Sequence, residues 1–181
     1  MQSSKLNDRL QLFASVGLLI GLALVAYEIR QNNELARADS VRVMLEGWQA
    51  IALSEYETDI TVLHVKSIRE PQNLTLPEVG KLSAWLTNVM NQYMLTFAMY
   101  DHGLGYSSGG VEYNPGDELV ASIDYYFGGR FGRSWYLENR YWIDAQIVEI
   151  LDRELAARPI QSGDSYLENI KSRLGVDPGA R

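Results

Sequence analysis

The chain contains no cysteine in its 181 residues. That excludes a disulfide framework, a thiolate zinc site and a cysteine nucleophile. Histidine is nearly as scarce: His64 and His102 are the only two, and neither lies in an E-x-x-H or H-E-x-x-H setting. The ligand sets of a di-iron bundle or a zincin are missing, so no metal and no other cofactor is expected. Asp101-His102 reads instead as a pair closing a helix, where the dipole favours histidine. Basic charge is also short, with 16 Lys and Arg against 23 Asp and Glu, a net charge of −7. Nucleic-acid binding needs a basic face to neutralise phosphates, so no nucleic-acid partner is expected. Alternation of period two and internal repeats are both absent, which leaves an all-α reading.

Charge is missing altogether from Leu10 to Tyr27. A helix of that length rises about 27 Å, close to the hydrocarbon thickness of a bilayer. The run predicts a single-pass transmembrane helix whose partner is the lipid bilayer. Lys5 and Arg9 precede it as they would in a secretory signal. The run is longer than a usual signal core, however, and Leu24 stands where cleavage after Ala26 needs a small residue. An uncleaved anchor is therefore expected. Within the span, Ala14, Gly17 and Gly21 form a small-residue face of the kind that lets two membrane helices approach closely, which predicts self-association there. Orientation is nearly balanced, with Lys5, Arg9 and the α-amine on one side and Arg30, Arg37 and Arg42 on the other.

Beyond the span, Leu35, Ala38, Val41, Leu45, Trp48 and Ala52 continue at helical spacing. One helix is expected from about residue 8 to residue 53, with Glu34–Arg37 and Asp39–Arg42 as supporting pairs. A second helix is expected over 55–69, ending before Pro71. Thr75, Pro77 and Glu78 give the start signal of a third, over 76–101, which Gly103 ends. Residues 103–116 are glycine-rich and read as a loop. Asp117 is expected to cap a short helix to Phe127, and one last long helix is expected over 133–156, with a further turn or two at 165–173. The division is a flank and span at 1–28, a helical bundle of four or five helices at 29–158, and a tail at 159–181.

Two segments invite a chemical reading. Gly105-Tyr106-Ser107-Ser108-Gly109 fits G-x-S-x-G, but a serine hydrolase needs its serine on a strand-to-helix turn and a histidine downstream. Both histidines here come earlier, so a polar loop is expected and no catalytic residue is assigned. The stretch 125–142 (YYFGGRFGRSWYLENRYW) interleaves aromatics with Arg130, Arg133 and Arg140. Gly128-Gly129 followed by Arg130 and Arg133 at a helix start, with Trp135 and Arg140 beyond, would suit an anion such as phosphate or a lipid headgroup. The plainer alternative is that the aromatics are core, stacked on arginines that pair with Glu138 or Asp144.

Tyr27-Glu28-Ile29-Arg30-Gln31-Asn32-Asn33-Glu34-Leu35-Ala36-Arg37, directly after the span, resembles a group of uncharacterised bacterial single-span membrane proteins. In these a Glu- or Gln-x-Arg-Gln-Asn juxtamembrane segment joins the span to a helical domain. The resemblance covers about residues 10–37, and the glycine–arginine–tryptophan order at Gly132–Arg140 is faintly similar. It implies a bacterial inner-membrane protein with its domain on the cytoplasmic side, and it implies no activity. The basic N-terminal flank departs from the more neutral one of the group. Together these features predict a membrane-anchored, non-enzymatic helical protein that forms homo-oligomers or serves as an accessory or scaffold subunit of a membrane assembly. The alternative is a sensory or ligand-binding domain holding an anion near Arg130 and Arg133.

Overall fold

The computed structural model of the protein describes residues 2–104, 107–108, 111–161 and 172. One unbroken helix, α1 (Gln2–Glu57), carries the uncharged run and continues into the folded domain. It is long and apolar enough to cross a membrane, and none of its most apolar window is buried. Phe13 at 74% exposure and Leu18 at 66% show that this stretch is not a core helix of the domain. Charged side chains take over at Glu28, and the helix surface is exposed through Asp39, with Ser40 and Val41 half-buried before the first buried residue, Met44. Arg30–Glu34, Arg42–Asp39 and Arg42–Glu46 pair along this stretch. Such exposed pairs lend a helix only a few tenths of a kcal/mol each.

Five further helices complete an all-α domain against the second half of α1: α2 (Ile60–Arg69), α3 (Leu76–Asp101), α4 (Pro115–Phe127), α5 (Arg130–Asn139) and α6 (Ala145–Ala157). Start signals are satisfied locally. The backbone N–H and hydroxyl of Thr75 both donate to Glu78 at the head of α3, at 2.7 and 2.9 Å. At the other end of α3, Gly103 takes φ +68°, a conformation that costs glycine little. Asn114, not Asp117, caps α4: its Oδ1 accepts from the Gly116 N–H at 2.9 Å, and Pro115 opens the helix three residues earlier than expected. The glycine-rich connection also holds a short hairpin, β1 (Ser107–Ser108) paired antiparallel with β2 (Val111–Glu112).

The single last helix expected over 133–156 is in fact two, and the first begins at Arg130. A 3-10 turn at Arg140–Trp142 and an extended Ile143 separate them. Asp144 decides the break, because its Oδ1 accepts from the Gln146 N–H at 2.8 Å and so starts α6 as a new helix. α1 likewise runs to Glu57 rather than residue 53. The tail helix expected at 165–173 lies, Ser172 apart, outside the described residues.

The core is continuous across the helices. Leu82, Val89 and Tyr93 of α3 meet Leu119 and Ile123 of α4 and Ile147 and Leu151 of α6, each at 0 or 1% exposure. α1 and α3 run antiparallel: Gln92 lies against Met44 of α1, and Trp85 lies against Glu55, further along.

Candidate functional site

The densest meeting of polar and aromatic groups lies at the last turn of α1. Glu55 continues the core-facing series Met44, Trp48, Ile51 at helical spacing. Trp85 Nε1 of α3 donates to its Oε1 at 3.2 Å, and the Tyr125 hydroxyl of α4 donates to its Oε2 at 3.2 Å. His64 of α2, 4% exposed, packs against the same two rings, with centroids 5.0 Å from Trp85 and 4.7 Å from Tyr125. Tyr126 packs against both Trp85 and Tyr125 and, at 6.4 Å, against Tyr93. Burial pushes the Glu55 carboxyl above its ordinary value, and the two donated hydrogen bonds oppose that rise only in part. Burial also pushes the Tyr93 and Tyr126 hydroxyls up, so both stay neutral. Nothing in the sequence marks this cluster, since its members are brought together from positions 30 and 70 residues apart.

The arginine–aromatic stretch is divided among separate partners. Arg133 is turned onto the end of α6: its Nη1 donates to the Leu155 carbonyl at 2.9 Å, and its Nη2 to those of Arg158 and Pro159 at 2.9 and 2.8 Å. It thereby satisfies carbonyls that a helix end leaves open. Arg140 pairs with Asp152, not with Glu138 or Asp144, and its guanidinium stands 5.9 Å over the Tyr136 ring. Trp135 is core, stacked near Phe127, with its Nε1 donating to Ser83 Oγ at 3.1 Å. Arg130 is exposed at the start of α5, beside a cleft of about 220 Å³ shared with Ile68, Gln72 and Gln161. The four residues do not converge on one anion-sized space.

Distance along α1 separates this stretch from the apolar run. Met44 lies about 25 Å beyond Tyr27 at 1.5 Å per residue, and Glu55 about 42 Å beyond it. Tyr125, five residues before Arg130, bonds Glu55, and Gly129 packs against Ile68 at the end of α2. The start of α5 thus belongs to the end of the bundle remote from the run.

Ala14, Gly17 and Gly21 lie on open surface, where an added Cβ at either glycine would meet nothing within 4 Å. At about 100° per residue, their face points roughly 160° away from the side of α1 that carries Met44, Trp48, Ile51 and Glu55. In the G-x-S-x-G segment, Ser107 lies in the hairpin, while Gly105, Tyr106 and Gly109 are outside the described residues. His102 closes α3 with its backbone N–H on the Ala98 carbonyl, at 3.1 Å. Among the described residues, no group of three or more His, Asp and Glu side chains could hold a metal ion. A cleft of about 410 Å³ lies where Tyr100 and Asp101 of α3 approach Asp117 of α4 and Glu149 of α6.

No known protein family, curated protein or solved structure matches this chain.

Proposed function

We propose that the protein is a non-enzymatic, single-span membrane protein of the bacterial inner membrane. Its helical domain serves as a homo-oligomeric or accessory scaffold subunit on the cytoplasmic side. One observation carries this reading: the Leu10–Tyr27 run is fully exposed on a helix that continues without interruption into the bundle. Surface of that kind and extent is stable in lipid and costly in water. The exposed stretch Glu28–Asp39 then acts as a stalk that holds the bundle about 18 Å from the hydrocarbon edge.

Self-association through Ala14, Gly17 and Gly21 fits this arrangement. Because that face points away from the bundle, two spans can cross there without their domains colliding. Placing Arg130 at the remote end of the bundle favours the scaffold reading over capture of a headgroup from the protein's own membrane. The resemblance at Tyr27–Arg37 supports the inner-membrane and cytoplasmic assignments.

Two measurements test the proposal. Carbonate washing of vesicles is expected to leave the full chain in the membrane fraction. Native mass measurement of detergent particles is expected to give an oligomer or a complex with a second membrane protein. Release by carbonate, a chain shortened after residue 26, or a solitary monomer would overturn it.

A further inference from the structure

Glu55 and His64 stand on consecutive helices, on either side of the corner at Thr58–Asp59, and the same two rings hold both. Helices α3 and α4 thus each donate one hydrogen bond to a carboxylate of α1, and α2 packs His64 against the two donor rings. Glu55 is also the last core-facing side chain of the helix that carries the apolar run. We propose that this cluster is a proton-operated latch fastening the end of α1 to the bundle, closed when Glu55 carries a proton and loosened when Glu55 is ionised.

The physical basis is the cost of placing charge in a half-buried, aromatic-lined site. An ionised carboxylate gives up water there and receives two hydrogen bonds from neutral donors. A protonated carboxyl avoids that cost and can keep both contacts. Its carbonyl oxygen accepts from Trp85, whose N–H can only donate, while its hydroxyl donates to Tyr125, whose oxygen can also accept. The direction follows from linkage. Burial raises the carboxyl above 4.5 in the closed state, so closure is favoured below that value and the advantage is lost as pH rises through the raised one.

The other ionisable groups around Glu55 are few among the described residues. On α2 the group is His64. The corner residue Asp59 is already tied to Lys81 of α3 at 3.0 Å. On α4 they are Tyr125 and Tyr126, with the charges of Glu55 and Glu118 adding to the burial that holds Tyr126 neutral.

Hydrogen exchange of the full chain in detergent tests the latch. It is read on peptides covering Gln49–Glu57 and corrected for intrinsic exchange, at about pH 5 and about pH 8. Protection of this turn is expected to fall severalfold at the higher pH. Glu55→Gln is expected to hold the turn equally protected at both, while Asp59→Asn keeps the parent's change. Trp85→Phe removes a bond that favours the ionised form, so it is expected to move the midpoint upward. A parent with no pH-dependent change, a change retained in Glu55→Gln, or a midpoint unmoved by Trp85→Phe would each overturn the proposal.

Discussion

Gln92 of α3 donates through Nε2 to the Met44 carbonyl at 3.0 Å, reaching across the bare backbone of Gly47. The contact is buried and joins α3 to the first seated turn of α1. A Cβ at Gly47 would come within 2.1 Å of Gln92 Oε1.

Gly47→Ala is accordingly expected to displace the Gln92 amide and strand the buried polar groups. It should destabilise the bundle by about 1–3 kcal/mol, although alanine is the better helix former. Thermal unfolding measures the loss. Gln92→Ala removes the obstacle, so the double variant should recover part of the cost of Gly47→Ala. Equal stability of the parent and Gly47→Ala would show that the helices do not pack this closely.

Arg133 and Arg130 should behave oppositely. Losing the three bonds from Arg133 to the end of α6 is expected to cost about 2–4 kcal/mol in Arg133→Ala. Lysine cannot reproduce the forked geometry, so Arg133→Lys should recover only a fraction. Arg130→Ala, at an exposed site, should stay within about 0.5 kcal/mol of the parent. Calorimetry with and without inorganic phosphate reads both effects. A phosphate shift abolished by Arg130→Gln would revive the anion-binding alternative.

Glu78 makes a pH prediction of the opposite sign to Glu55. Hydrogen bonds from Lys66 and from the Thr75 N–H and hydroxyl hold its carboxyl down at about 2. Its folded value is depressed, so its contribution is present above 4.5 and is lost as pH falls from there through about 2. The parent should be more stable than Glu78→Gln at neutral pH, and the two stabilities should converge in acid. Denaturant midpoints measured across that range test this, and a constant difference between the proteins would refute it.

Under the proposed self-association, Gly17→Ile combined with Gly21→Ile is expected to turn the detergent particle into a monomer, because the branched side chains keep the helices apart. The bundle's unfolding temperature should not change, since these positions face away from it and touch nothing in the chain. Sedimentation of both proteins decides the matter; an oligomer that survives must be held by another surface.

Local sequence determined the parts of this protein whose causes are local. The uncharged run from Leu10 to Tyr27 dictated a long apolar helix, since eighteen residues without Pro or charge satisfy their backbone groups within the helix itself. Thr75, Pro77 and Glu78 marked the start of α3, Gly103 its end, and Gly128-Gly129 the break after α4, because caps and chain reversals act within a few residues. Asp144 was equally legible as a cap. It was obscured because the apolar spacing of α5 and α6 reads as one helix across the gap.

Tertiary structure alone decided which side chains answer one another. Arg133 looked available for an anion until the end of α6 was folded onto it, 22 to 26 residues away in sequence. Nothing in the sequence singles out Glu55. It became a meeting point of α1, α3 and α4 only because α3 and α4 deliver Trp85 and Tyr125 to it. Hydrogen bonding and desolvation act over a few ångströms in space, and no periodicity along the chain records which distant residues will close that distance.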